Sequence, residues 1–220
     1  MLTPAAMSRP SLVLWLDCMD MSGSGASWWK DTRVAGLTLA VPKSKPAPDA
    51  QRGVNLKGTM LASPEFQKSS NCTLIVACSI ESPDTWGTIF GHFKEGENAM
   101  GHRWHDQDVQ LRVNDKRQVS WHTANDNERV ALPLLSGIVV YACTMQSTAT
   151  TSTMRMDVNG TVVSAELGRT ITEGTAPIVV GGSWFNEHSN AVIYELAYFN
   201  EALSPAECTA VASWMRQQWK

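Results

Sequence analysis

The sequence predicts an all-β protein, two antiparallel sheets packed as a β-sandwich, with one short C-terminal helix. Short runs of alternating apolar and polar residues recur between turn residues over most of the chain. Two of these runs, residues 72–80 and 137–145, are apolar on both faces, as central strands are. Only one segment carries a well-specified helix start. In Ser204-Pro205-Ala206-Glu207 the serine can accept from first-turn amides, Pro205 sits where no donor is missed, and Glu207 completes a capping box.

From the N-terminus, residues 11–17 read as a first strand and 36–41 and 53–56 as weaker ones, separated by an exposed loop rich in Pro and Lys. In the central run 72–80, Leu74, Val76, Cys78 and Ile80 share one face and Thr73, Ile75, Ala77 and Ser79 the other. Shorter strands follow at 86–93, 99–104, 109–113 and 118–123, a meander joined by polar turns. After the second central run, Asn159-Gly160 marks a two-residue hairpin turn that pairs 155–158 with 161–164. Residues 177–182 and 191–199 complete the sheets. In the helix, Cys208, Val211, Ala212, Met215 and Trp219 fall three or four apart, so one side is apolar and must lie on a sheet.

At 220 residues and 43% hydrophobic content, a single two-layer domain over 11–220 is the economical reading. Residues 1–10, with small side chains and two prolines, are expected to form a flexible arm. A net charge of −3 gives no broad electrostatic reason to seek nucleic acid or acidic membranes. No apolar run reaches the ~20 residues needed to cross a bilayer, and the first residues do not read as a signal peptide. The five cysteines, Cys18, Cys72, Cys78, Cys143 and Cys208, read as buried thiols. Cys72 and Cys78 share a strand face but lie ~20 Å apart at ~3.3 Å per residue, too far to pair.

The closing strand, the Ala202-Leu203-Ser204 turn with Glu207, and the final helix resemble the end of domains in the concanavalin A-like lectin and glucanase superfamily, specifically its laminin-G-like branch. Leu14-Trp15-Leu16-Asp17, Ser22-Gly23-Ser24-Gly25 with Trp28-Trp29-Lys30-Asp31, and Asp157-Val158-Asn159-Gly160 are similar to landmarks of that family in family order, covering nearly the whole chain. The resemblance implies a jelly-roll sandwich. Glucanases of the superfamily place paired carboxylates on a Glu-x-Asp-x-x-Glu strand, about 5 to 5.5 Å apart. This chain has no such strand, and Glu195 is read as satisfying a backbone or tyrosine contact, so no catalytic residue and no enzyme activity are expected.

Carbohydrate-binding candidates are Trp104, Trp121 and Trp184, whose neighbours include groups able to hydrogen-bond hydroxyls, together with His102 and Asn186. His102 and His105 would point to opposite faces of a strand, so the histidines are read as solvated loop residues and no zinc site is expected. No cofactor is expected. Asp106, Asp108 and Asp126, the last within Asn125-Asp126-Asn127-Glu128, are weak calcium candidates.

The leading functional expectation is a non-catalytic structural or attachment module on a virus or phage particle, such as a capsid decoration or fibre-associated subunit. It would be made in the cytoplasm without an export signal and freed by host lysis, and its partners would be protein subunits of a larger assembly or itself. The alternative is a carbohydrate-binding lectin domain with glycans as partners. A glycoside hydrolase ranks last.

Overall fold

The computed structural model describes residues 3–18, 29–30, 38–39, 47–49, 53–56, 60–80, 86–92, 109–123, 127–182 and 188–219. The eight-stranded sheet contains β1 (Leu12–Asp17), β4 (Ala47–Asp49), β5 (Gly53–Asn55), β8 (Cys72–Ile80), β13 (Val139–Ser147), β14 (Ser152–Val158), β15 (Thr161–Leu167) and β18 (Ala191–Phe199). Its order is β15-β14-β13-β8-β18-β5-β4, with β1 also paired to β18. The six-stranded sheet contains β6 (Leu61–Ala62), β9 (Gly87–His92), β10 (Val109–Val113), β11 (Gln118–Thr123), β12 (Arg129–Pro133) and β17 (Ile178–Val180), in the order β12-β11-β10-β9-β17-β6. Two short pairs, β2 (Trp29–Lys30) with β3 (Thr38–Leu39) and β7 (Phe66–Lys68) with β16 (Gly174–Ala176), lie outside them. One helix, α1 (Pro205–Gln218), ends the fold.

The two central runs lie side by side. β8 has β13 on one side and β18 on the other, all antiparallel. Leu74, Val76 and Cys78 of β8, with Tyr141, Cys143 and Met145 of β13, fill the core between the sheets. The intervening Ile75, Ala77, Val140 and Ala142 join a second apolar cluster with Val211, Ala212 and Met215 of α1. The eight-stranded sheet is therefore covered on both faces, by a sheet and by a helix, and each fully buried aliphatic side chain contributes about 1.5–3 kcal/mol.

The capping box forms as the sequence requires. Glu207 N donates to Ser204 Oγ at 3.4 Å, and Ser204 N donates to Glu207 Oε2 at 2.9 Å. Thr73 ties the approach to the helix, donating to Glu201 O at 2.8 Å and accepting from Leu203 N at 2.9 Å. At the hairpin, Asn159 and Gly160 have φ of 53° and 85°, and Val158 pairs with Thr161. All five cysteines are free and buried, and burial pushes the Cys72, Cys78 and Cys143 thiols up.

The described part of the N-terminal segment differs from the expected arm. A 3-10 turn at Ala5–Ser8 buries Ala6 and Met7 in the helix-side cluster, and Arg9 pairs with Glu201 and Glu207. Two small apolar side chains and one guanidinium are enough to fasten a segment whose composition looks unstructured. The sequence reading also missed β12, whose Pro133 sits at the end of an edge strand, where the missing donor is harmless. The strand expected at 99–104 lies outside the described residues.

Replacing Ser204 by Ala should lower stability by about 1 kcal/mol, read as a lower urea midpoint at unchanged slope.

Candidate functional site

On the six-stranded sheet, alternation separates two faces. Val109, Leu111 and Val113 of β10, Val119 and Trp121 of β11, and Val130 of β12 are buried in the core between the sheets. The residues between them, Gln110, Arg112, Ser120, His122 and Arg129, therefore lie on the outer face. Register makes them neighbours. Gln110 is opposite His122 and Arg112 is opposite Ser120 across β10 and β11. Arg112 is opposite Thr88 across β9, and His122 is opposite Arg129 across β12. Directly opposed side chains stand about 4.5–5.5 Å apart at Cβ, so these six form one patch.

The patch is polar, yet all of it except Arg129 is buried. Among the described residues, Thr88 Oγ1, both amide atoms of Gln110, Ser120 Oγ and His122 Nε2 have no hydrogen-bond partner. A buried polar atom left unsatisfied costs about 1–3 kcal/mol, and folded proteins keep few of them. Five on one patch are a concentration of hydrogen-bonding capacity unused among the described residues.

Two guanidinium groups border these atoms. Arg112 Cζ lies 4.8 Å from the ring centroid of the half-buried Trp86 and Arg129 Cζ lies 6.0 Å from it, so one indole ring attracts both cations. His122 is held in one tautomer: Nδ1–H donates to Thr123 O at 2.7 Å, which leaves Nε2 as an acceptor. Burial, followed by the nearby Arg112 and Arg129 charges, pushes its pKa down to about 3. The patch thus offers a neutral imidazole acceptor, an amide, two hydroxyls and two cations.

Of the sequence-based candidates, Trp121 lies among the described residues. Trp121 is fully buried in the core and its Nε1 donates to Thr144 O at 3.2 Å, so its ring is not open to a sugar; this corrects its assignment as a binding residue. Trp104, Trp184, His102 and Asn186 lie outside the described residues, as do Asp106, Asp108 and Asp126. Glu128, two positions after the last of these, is engaged by Arg169 and Thr123, the former holding its carboxyl below the usual carboxylate range. Among the described residues, no group of three or more His, Cys, Asp or Glu side chains is placed to hold a metal. His92 and His122 are not solvated loop histidines. His92 is buried between Tyr198 Oη and Ala176 O, both at 3.0 Å from its ring nitrogens.

The polar patch was missed because Val-Gln-Leu-Arg-Val and Val-Ser-Trp-His-Thr read as ordinary half-exposed strands. The polar positions were visible in that alternation, but their convergence depends on register.

Glu195, the carboxylate weighed for catalysis, has a different setting. The β18 register shifts between Ile193 and Glu195, and the apolar phase changes with it: Ala191 and Ile193 face the inter-sheet core, and so do Leu196 and Tyr198. Glu195 is thereby turned to the helix side, where it is buried and accepts from Trp15 Nε1 at 2.7 Å and Trp219 Nε1 at 2.9 Å. The sequence reading did not anticipate these indole donors. Trp15 also meets Trp214 edge-on, with centroids 5.6 Å apart, so the carboxylate sits in an aromatic clamp joining β1, β18 and the helix end.

Among solved structures, the chain is similar to Trypanosoma rangeli sialidase, with a TM-score of 0.66 and 16% identity over 96% of this chain and 34% of that one. A complex of that sialidase with sialic acid gives 0.64 and 17%, over 98% and 36%. The CBM40 of Ruminococcus gnavus IT-sialidase, bound to α2,3-sialyllactose, gives 0.50 and 13%, over 72% of this chain and 98% of that one. The chain spans about a third of the length of the sialidases it matches. No protein-family profile and no curated protein matches it.

At these identities the likeness shows the fold alone, a two-sheet antiparallel β-sandwich. It also corrects the leading functional expectation. The matched structures are sialidases and a carbohydrate-binding module, which leaves the virus- or phage-particle role without support. No helix among the described residues is long and apolar enough to cross a membrane.

Glu195→Gln should cost about 1–3 kcal/mol, because the new amide NH2 would confront an indole N–H in a buried clamp; chemical denaturation reads the loss. The His122 pKa sets an acid-side dependence. The unfolded state takes up the His122 proton near pH 6.5 and the folded state only near 3, so stability is full above about 6.5 and falls as pH drops through that window. His122→Asn, which does not titrate there, should flatten the melting-temperature profile between those limits.

Proposed function

We propose that this chain is a carbohydrate-binding β-sandwich module of the laminin-G-like type, which takes an acidic glycan on the outer face of the six-stranded sheet without hydrolysing it. The observation that carries this reading is the cluster of five buried polar atoms without partners among the described residues, beside two guanidiniums attracted by one indole ring. Sugar hydroxyls are both donors and acceptors, and they match a set made of Gln110 amide atoms, the Thr88 and Ser120 hydroxyls and the His122 Nε2 acceptor. A planar guanidinium suits a carboxylate, through paired N–H donors that a lysine cannot reproduce. The ligand has to reach into the face rather than lie on it, since the unsatisfied atoms are buried.

The comparisons support the acidic class. One matched structure holds sialic acid and another is a binding module holding α2,3-sialyllactose. That module is matched over 98% of its length, against about a third for the sialidases, which favours binding over catalysis. The engagement of Glu195 by two indoles supports the same reading, since neither of its oxygens faces a ligand unencumbered.

Calorimetry with α2,3-sialyllactose and with lactose tests the proposal. Binding should be seen for the acidic sugar, with no release of free sialic acid over time. Arg112→Lys should weaken it about tenfold or more, the equivalent of one lost charge-assisted hydrogen-bond pair. A folded protein that binds neither sugar, nor any acidic glycan on an array, would falsify the reading.

A further inference from the structure

We propose that the chain pairs with a second copy of itself along β15, antiparallel about a two-fold axis at Ser164. β15 is the last strand of the eight-stranded sheet and, among the described residues, nothing pairs with its outer edge. It runs seven residues in unbroken register with β14, from Thr161 opposite Val158 to Leu167 opposite Ser152. Most of its length is exposed.

Sheet edges are ordinarily protected from foreign strands by short length, charge, proline or bulges. The other described edges of the two large sheets follow that rule, including β1, which is largely buried, ends in Asp17 and has a register shift between Leu12 and Leu14. β12 carries Arg129 and ends in Pro133, β4 is three residues long and contains Pro48 and Asp49, and β6 is two residues long. β15, Thr-Val-Val-Ser-Ala-Glu-Leu, has no bulge, no proline and no cation, and Glu166 is its only charge. Apolar surface accumulates beside it. Val162 is 47% exposed, and Leu135, 40% exposed, lines a recess shared with Val158 and Thr161.

The strand is complementary to itself. With Ser164 opposite Ser164, Val163 meets Ala165 on the core side and Val162 meets Glu166 on the outer side, so no like charges oppose one another. A one-residue slip would turn the second sandwich over and set Val163 and Ala165 against outward-facing polar residues. In the favoured register the axis runs through the sheet, joining two eight-stranded sheets into one layer with both six-stranded sheets turned the same way. Closure about one axis limits the assembly to two copies. If the glycan reading above holds, both polar faces address one surface and gain avidity; the pairing itself does not depend on that reading.

Light scattering after size exclusion reads the outcome. The wild-type chain should run at twice its 24.1 kDa mass. Ser164→Lys and Ser164→Glu, substitutions at an exposed position, should each run as monomers with circular dichroism unchanged, because like charges then meet on the axis. Mixed in equal amounts they should recover the dimer, lysine facing glutamate. A wild-type monomer at every accessible concentration, a dimer indifferent to both substitutions, or assembly beyond two copies would each overturn the proposal.

Discussion

The central strands β8 and β13 are apolar on both faces, and most of the architecture follows from the need to cover both. The six-stranded sheet takes one side and the terminal helix with the N-terminal 3-10 turn takes the other. A helix with four buried apolar or thiol side chains is not a stable element alone, so its position is dictated by the sheet it covers. The capping box then fixes where it starts, and Thr73 fixes how the chain arrives there. Coverage by the helix also creates the closed environment in which Glu195 meets Trp15 and Trp219.

Polar groups are distributed unevenly about this scaffold. On the helix side, the buried carboxylate is matched by two indole donors. In the inter-sheet region, His92 is matched by Tyr198 and Ala176. The outer face of the six-stranded sheet is different, because buried hydroxyl, amide and imidazole atoms converge there with their capacity unused among the described residues. Tyr141 Oη, Arg155 Nη1 and His188 Nδ1 are also buried without partners, but singly; on this face such atoms are concentrated.

Much of the fold was legible because its signals are local. The Asn159-Gly160 turn, the helix start at Ser204 and the two-faced runs around Val76 and Tyr141 depend on residues within a few positions of one another. The site was scarcely legible. Trp121 has polar neighbours in sequence, yet alternation sends its ring into the core while Ser120 and His122 go outward. The N-terminal segment misled for a related reason: Ala6, Met7 and Arg9 find their partners in the helix-side cluster and at Glu201 and Glu207, nearly two hundred positions away.

The sequence by itself determined the β-rich class, the hairpin, the terminal helix and the burial of the cysteines, since periodicity and capping act over short distances. Tertiary structure decided which polar residues meet. Strand register set Gln110 beside His122 and Arg112 beside Thr88 and Ser120, and the β18 irregularity turned Glu195 toward two tryptophans. A shift of one position in any of these strands would send the same side chains to the opposite face, and no local pattern encodes that choice.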